Sequence, residues 1–108
     1  MSYSVILSGN FKKEAKRLVR KYPSLKNELT ALGEALAENP TLGIPLGNDV
    51  FKIRLAVASK GRGKSGGARV ISYVQFVDET VLLLSIYNKG EKDTISDQEI
   101  QRLLEGYT

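Results

Sequence analysis

Three stretches in the second half of this chain alternate apolar and polar residues. They lie too close together to be joined by helices. Val50 to Ala58 puts Phe51, Ile53, Leu55 and Val57 on one face and Lys52, Arg54, Ala56 and Ala58 on the other. Ala68 to Val77 puts Val70, Ser72, Val74 and Phe76 on one face and Arg69, Ile71, Tyr73 and Gln75 on the other. Thr80 to Lys89 puts Leu82, Leu84 and Ile86 on one face and Ser85, Tyr87 and Lys89 on the other. A period of two marks a strand with one buried face. The joints, Ser59 to Gly67 and Asp78-Glu79, are too short for a crossover helix, so these strands form an antiparallel meander.

The first half reads differently. Tyr3 to Leu7 is a short β-rich run, broken by Ser8, Gly9 and Asn10. Ser8 or Asn10 is placed to cap a helix. Phe11, Ala15, Leu18, Val19 and Tyr22 recur on one face of that helix, and Pro23 ends it. Leu25, Leu29, Leu32 and Leu36 repeat the pattern after Ser24, a predicted cap, and stop at Asn39-Pro40. Thr41 to Asn48, with Gly43, Pro45 and Gly47, reads as a loop. Ser96 is placed to cap a last helix carrying Ile100, Leu103 and Leu104. The expected architecture is α+β in the order β-α-α-β-β-β-α. It is an antiparallel sheet with two N-terminal helices packed on one face and a short C-terminal helix. Residues 1–108 are expected to form a single domain.

Composition narrows the chemistry. The chain has no cysteine and no histidine. Disulfides and thiolate sites are excluded, and the commonest metal ligand and neutral-pH base are missing. No metal site and no cofactor is expected, and catalysis must rest on Lys, Arg, Tyr, Ser or carboxylates. No apolar run approaches the roughly 20 residues of a membrane span. The N-terminal MSYSVILSGNF has too short an apolar segment for a signal peptide. A cytoplasmic protein without a membrane partner is expected. The pI near 9.4 makes nucleic acid the first partner to consider.

The basicity is local. Lys52 to Arg69, KIRLAVASKGRGKSGGAR, holds six cations, and no carboxylate occurs from Val50 to Val77. The whole chain is +4, so with +6 in this stretch the remainder is −2. A one-signed field of this kind is an anion-binding footprint. A solvated loop explains many charge runs, but Lys52 and Arg54 sit inside a strand pattern. Gly61, Gly63 and Gly66 match the dinucleotide-binding glycine spacing, and Gly63-Lys64-Ser65 resembles the end of a phosphate-binding loop. Both motifs require a helix next, and here a strand comes instead, so both are rejected. Lys60, Arg62 and Lys64 can still wrap a phosphate backbone. So can the exposed face of the first helix, where Lys13 and Arg17 lie among further cations.

If the three strands are neighbours, Lys52, Arg54, Arg69, Tyr73, Tyr87 and Lys89 emerge on one face, opposite the two helices. Cations and phenols around a groove can bind RNA and cut it by attack of a ribose 2′-OH on the adjacent phosphate. The step needs a base, cations for the pentavalent phosphorane and an acid for the leaving 5′-oxygen. A phenol or ammonium titrates near 10 on its own, and clustered cations bring it down toward neutrality. One Lys or Tyr of the group is the candidate base.

The segments FKKEAKRLVRKYPSL, FKIRLAVASKGRGKSGGARVISYV and LLLSIYNKGEKDTISDQEI resemble the RelE/ParE superfamily of bacterial toxins, and its RelE/HigB-like branch in particular. The resemblance covers nearly the whole chain. It implies the toxin of a type II toxin–antitoxin module, a metal-independent endoribonuclease that cleaves mRNA on the ribosome. It assigns catalysis to Lys52, Arg54, Arg69, Tyr87 and Lys89. Members vary in the base, and near the C-terminus this chain offers Glu105 and Tyr107. The implied partners are the ribosome with mRNA and a cognate antitoxin, a helix-turn-helix protein from the same operon. Operator DNA is an implied partner only of the toxin–antitoxin complex. Two other activities stay open: a ParE-like gyrase inhibitor that acts by binding, and an inactive nucleic-acid-binding member.

Overall fold

The structure is a computed structural model that describes residues 2–61, 66–92 and 94–107. Strand β1 (Ser4–Leu7) leads into helices α1 (Gly9–Lys21) and α2 (Leu25–Glu38). Strands β2 (Ile44–Gly47) and β3 (Val50–Leu55) come next, then a 3₁₀ turn (Ala58–Lys60). Strands β4 (Ala68–Gln75) and β5 (Thr80–Asn88) and helix α3 (Asp97–Tyr107) complete the chain. The five strands form one sheet in the order β1-β5-β4-β3-β2. The antiparallel meander β3-β4-β5 is as the alternation predicts.

Two parts of the sheet differ from the expectation. Strand β1 runs parallel to β5, from Ser4 opposite Thr80 to Leu7 opposite Leu83, so the sheet is mixed. The long helical connection after β1 permits this, since parallel neighbours need a crossover. Strand β2 forms inside the predicted loop 41–48 and pairs antiparallel with β3. Its Gly and Pro content is tolerated because it is an edge strand with a register shift between Pro45 and Gly47. Asn48 and Asp49, at φ 54° and 64°, make the tight turn into β3. Both central residues of such a hairpin turn need positive φ. Gly43, at φ 110°, lets its backbone approach Lys52: a Cβ there would lie 2.7 Å from the Lys52 carbonyl oxygen.

The helix starts obey local chemistry. Ser8 caps α1, its Oγ accepting from Phe11 N at 3.0 Å. Ser96 Oγ accepts from Glu99 N at 3.1 Å at the start of α3. Ser24 departs from its predicted role. It makes no side-chain cap bond to α2, because its hydroxyl is bound to Ser59, with Oγ atoms 2.7 Å apart, and to Glu28. Ser59 N donates back to Ser24 Oγ and Ala58 N to Glu28 Oε2. The helical joint is thereby pinned to the residues just after β3.

Both faces of the sheet are covered. On one, Phe11, Leu18, Leu25, Leu32 and Leu36 of α1 and α2 pack on Ile53, Val70, Val81, Leu83 and Ile86. On the other, Ile95 and Ile100 pack on Val50, Ile71, Leu82, Leu84 and Tyr87, with Leu103 and Leu104 alongside. Strand β5 therefore changes the sides of its residues part-way. Leu82 and Leu84 face α3, Ile86 faces α1 and α2, and Tyr87 faces α3 again. The cause is a bulge: Ile71 pairs with Ser85 but Ser72 with Leu83, which leaves Leu84 as the extra residue. The uniform alternation predicted for Thr80 to Lys89 is overturned at this point.

Candidate active site

Cross-strand register assembles the centre of the site. Arg54 on β3 lies opposite Arg69 on β4, and Arg69 lies opposite Tyr87 on β5. Residues opposite each other on one face have Cβ atoms about 5 Å apart. Two guanidinium groups and a phenol thus form a row across three strands. Lys52 sits two residues along β3 from Arg54, opposite Ile71. Lys52 and Arg54 line an open cleft with Leu42, Gly43, Ile44 and Ile53, of about 280 Å³. Lys89 comes directly after β5, and its backbone N donates to Gly67 O at 3.0 Å.

Exposure divides the row. Arg54 is exposed and Lys52 and Lys89 are half-buried, whereas Arg69 is 2% and Tyr87 3% exposed. Arg69 Nη1 donates to the Ala68 carbonyl at 3.2 Å. Tyr87 packs among the apolar residues of α3. The open groove expected on this face is therefore roofed by α3. Apolar residues at Ile100, Leu103 and Leu104 need a surface to cover, and only this face of the sheet remained for them.

The other sequence-predicted residues lie apart. Tyr73 pairs with Val50 and Leu82 and packs, half-buried, against the cluster under α3. Four residues along β4 from Arg69 place it roughly 13 Å from the row. Lys13 and Arg17 are exposed on α1, on the opposite side of the sheet. Arg17 reaches Glu91 at 3.5 Å, both side chains more than half exposed, an ion pair of little weight. Lys60 turns inward. Its Nζ donates to Gly66 O at 2.8 Å, to Gly67 O at 3.3 Å and to Asn88 Oδ1. Arg62 and Lys64 lie outside the described residues, as does the side chain of Tyr107. Glu105 is exposed on α3.

One residue escaped the sequence reading. Lys92 Nζ stands 4.9 Å from the centroid of the Tyr87 ring and 3.1 Å from Glu99 Oε2. Its backbone N donates to Asn88 O at 3.2 Å. That bond curls the chain after β5 so that Lys92 returns over Tyr87. No periodicity marks such a turn, and the available signal was a second cation three residues after Lys89. Among the described residues no group of His, Cys, Asp or Glu is arranged to hold a metal ion.

Residues 8–106 match the family model described as the RelE toxin of the RelE/RelB toxin–antitoxin system. The chain belongs to the RelE toxin family. Solved RelE-family structures share the fold. The free E. coli RelE toxin, as an arginine-to-alanine double mutant, superposes with a TM-score of 0.67 at 18% identity. That match covers 94% of this chain and 98% of the other. The RelBE2 toxin–antitoxin complex of Mycobacterium tuberculosis gives 0.63 at 18% identity, over 82% and 99% of the two chains. The isolated E. coli RelE toxin in a second crystal form gives 0.55 at 19%, over 96% and 98%. At these identities the likeness concerns the fold. No helix of the described residues is long and apolar enough to cross a membrane.

Proposed function

We propose that this RelE-family toxin is a metal-independent endoribonuclease that cuts mRNA on the ribosome, in the cytoplasm. The observation that carries the reading is the row Arg54–Arg69–Tyr87 on three adjacent strands. Like charges directly opposite on a sheet are destabilising, and a phosphorane bound between the guanidinium groups reverses that sign. Arg69 can contact two phosphate oxygens at once. Lys52 and Lys89 stand at the rim for the remaining charge, and Tyr87, with Lys92 over its ring, is placed for proton transfer at the 2′-OH or the leaving 5′-oxygen. Lys13 and Arg17, on the far side of the sheet, and Tyr73 contribute RNA contacts away from the reacting phosphate.

The chemistry requires α3 to shift, because Arg69 and Tyr87 are covered. Exposing Ile95 and Ile100 costs about 3–6 kcal/mol at the usual value for a buried aliphatic side chain. A complex of micromolar affinity supplies about 8 kcal/mol, enough to offset that. The RelBE2 complex pairs its toxin with an antitoxin, and we assign this chain a cognate antitoxin in the same way.

The burial of Arg69 and Tyr87 also favours a second reading, a toxin that acts by binding alone. One experiment separates the two. Single-turnover cleavage of mRNA on saturating programmed ribosomes is measured for wild type, Arg69→Lys and Arg69→Ala. Loss of one preorganised donor lowers the rate about 10²- to 10³-fold, and lysine does not restore the two-point contact. Cleavage by soluble, folded Arg69→Ala at the wild-type rate removes Arg69 from the mechanism. DNA breaks with intact mRNA in wild-type-expressing cells select the binding-only toxin.

A further inference from the structure

Strand β1 stops at Leu7, opposite Leu83. Beyond that point the edge of β5 is paired by α1. Ser8 N donates to Leu83 O at 3.1 Å. Ser8 Oγ and Asn10 Nδ2 donate to Leu84 O at 3.3 and 3.0 Å. Glu14 Oε1 accepts from Ile86 N at 3.3 Å, from Ser85 Oγ at 2.8 Å and from Asn10 Nδ2 at 2.8 Å. This is the segment that holds the bulge at Leu84. A bulge disrupts the ladder locally, and the groups it releases need partners when buried. The first turns of α1 supply them. Glu14 is the sole carboxylate on a helix otherwise rich in Lys and Arg, yet it points at β5.

The bulge decides which residue of β5 reaches the site. With strict alternation from Leu82 and Leu84, the face of Arg69 would carry Ile86, and Tyr87 would point into the α1–α2 core. We propose that Asn10 and Glu14 are positioning residues of the site: by pairing the β5 edge at the bulge, they hold Tyr87 and Lys89 on the face of Arg54 and Arg69. The kinetic consequence rests on the ribonuclease reading. The structural consequence does not.

The test uses Glu14→Ala, which removes the acceptor, and Glu14→Gln, which keeps an oxygen for Ile86 N and Ser85 Oγ. Two properties are read. In the free protein, NMR tracks amide exchange at Ile86 and contacts between the Tyr87 ring and Ile100. On programmed ribosomes, single-turnover kinetics separates the cleavage rate constant from half-saturation. Glu14→Ala is expected to speed Ile86 exchange and slow cleavage, each by about tenfold or more, as loss of a buried acceptor implies. It shifts the Tyr87 contacts and leaves half-saturation unchanged. Glu14→Gln retains wild-type exchange, contacts and rate to within about threefold, its neutral hydrogen bonds being weaker than those of a carboxylate.

Unchanged Ile86 exchange and Tyr87 contacts in Glu14→Ala overturn the proposal, and so does a Glu14→Gln protein as impaired as Glu14→Ala. If wild type does not cleave mRNA, the ribonuclease reading falls and the positioning claim is decided by NMR alone. If Glu14→Ala does not fold, Asn10→Ala carries the same readouts, since Ser8 still serves Leu84 O. The expected loss is then smaller, and no change in either readout overturns the proposal.

Discussion

The ammonium of Lys60 holds together parts of the chain far apart in sequence. It donates to the carbonyls of Gly66 and Gly67 and to Asn88, and it lies 5.9 Å from the Tyr22 ring centroid. Asn88 Nδ2 in turn donates to Tyr22 Oη at 3.1 Å. Lys60 thus ties the end of β5 to the residues preceding β4. Lys60→Met keeps the stem and removes the donors. It should lower the free energy of urea unfolding by about 1–3 kcal/mol, the range for hydrogen bonds involving a charged group. The salt dependence of RNA association should not change. A phosphate contact would instead lower the log–log slope by about 0.7–0.9, and a change of that size in Lys60→Met would return Lys60 to the RNA. The sequence marked Lys60 as a cation in a basic stretch. Its partners at Gly66, Gly67 and Asn88 are set by the fold, and no local pattern announces them.

At the level of elements, strand β2 and helix α3 were the least legible. The meander could be read because alternation is local and tight joints leave one way to pair it. Strand β2 was hidden because Gly43, Pro45 and Gly47 signal turns, and an edge strand tolerates all three. Gly43 is the residue to test. Its φ of 110° and the 2.7 Å that would separate a Cβ from Lys52 O leave no room for a side chain. Gly43→Ala should destabilise the protein by more than about 1 kcal/mol, as expected where the native conformation rejects the new residue; an unaltered unfolding midpoint would contradict this. The helix α3 was legible in its apolar spacing and its Ser96 cap, but its docking place was not. The sequence presents that place as an open polar face, because Tyr87 and Arg69 look polar one at a time. Ile100→Ala should remove about 2–5 kcal/mol of packing. If α3 moves as a unit over Tyr87, hydrogen exchange will rise across α3 and leave α1 and α2 unaltered. A uniform rise throughout the chain would mean that α3 opens only when the whole protein unfolds.

Across the whole molecule the charge is arranged on two sides of one sheet. The outer face of α1 carries Lys12, Lys13, Lys16, Arg17, Arg20 and Lys21, while Glu14 is turned inward to Ser85. On the other side, Arg54 lies opposite the buried Arg69, itself opposite the buried Tyr87, and Lys52 and Arg54 border the cleft at the β2 edge. Glu28 accepts from Ala58 N and Ser24 Oγ at the joint between the helices and the end of β3. An acidic antitoxin segment on the cleft would associate rapidly and in a salt-sensitive way, and it would leave α1 open. Arg69 is already covered in the free protein, so Lys52 and Arg54, which line the cleft, are the cations to follow. Lysine modification of the toxin alone and in complex should therefore show Lys52 protected about tenfold or more, with Lys12, Lys13 and Lys16 still reactive; removal from solvent at a packed interface core explains the difference. A complex in which α1 and α2 are protected and Lys52 stays reactive would mean that the antitoxin acts by steric exclusion from the α1–α2 side, with the cleft at Lys52 left open.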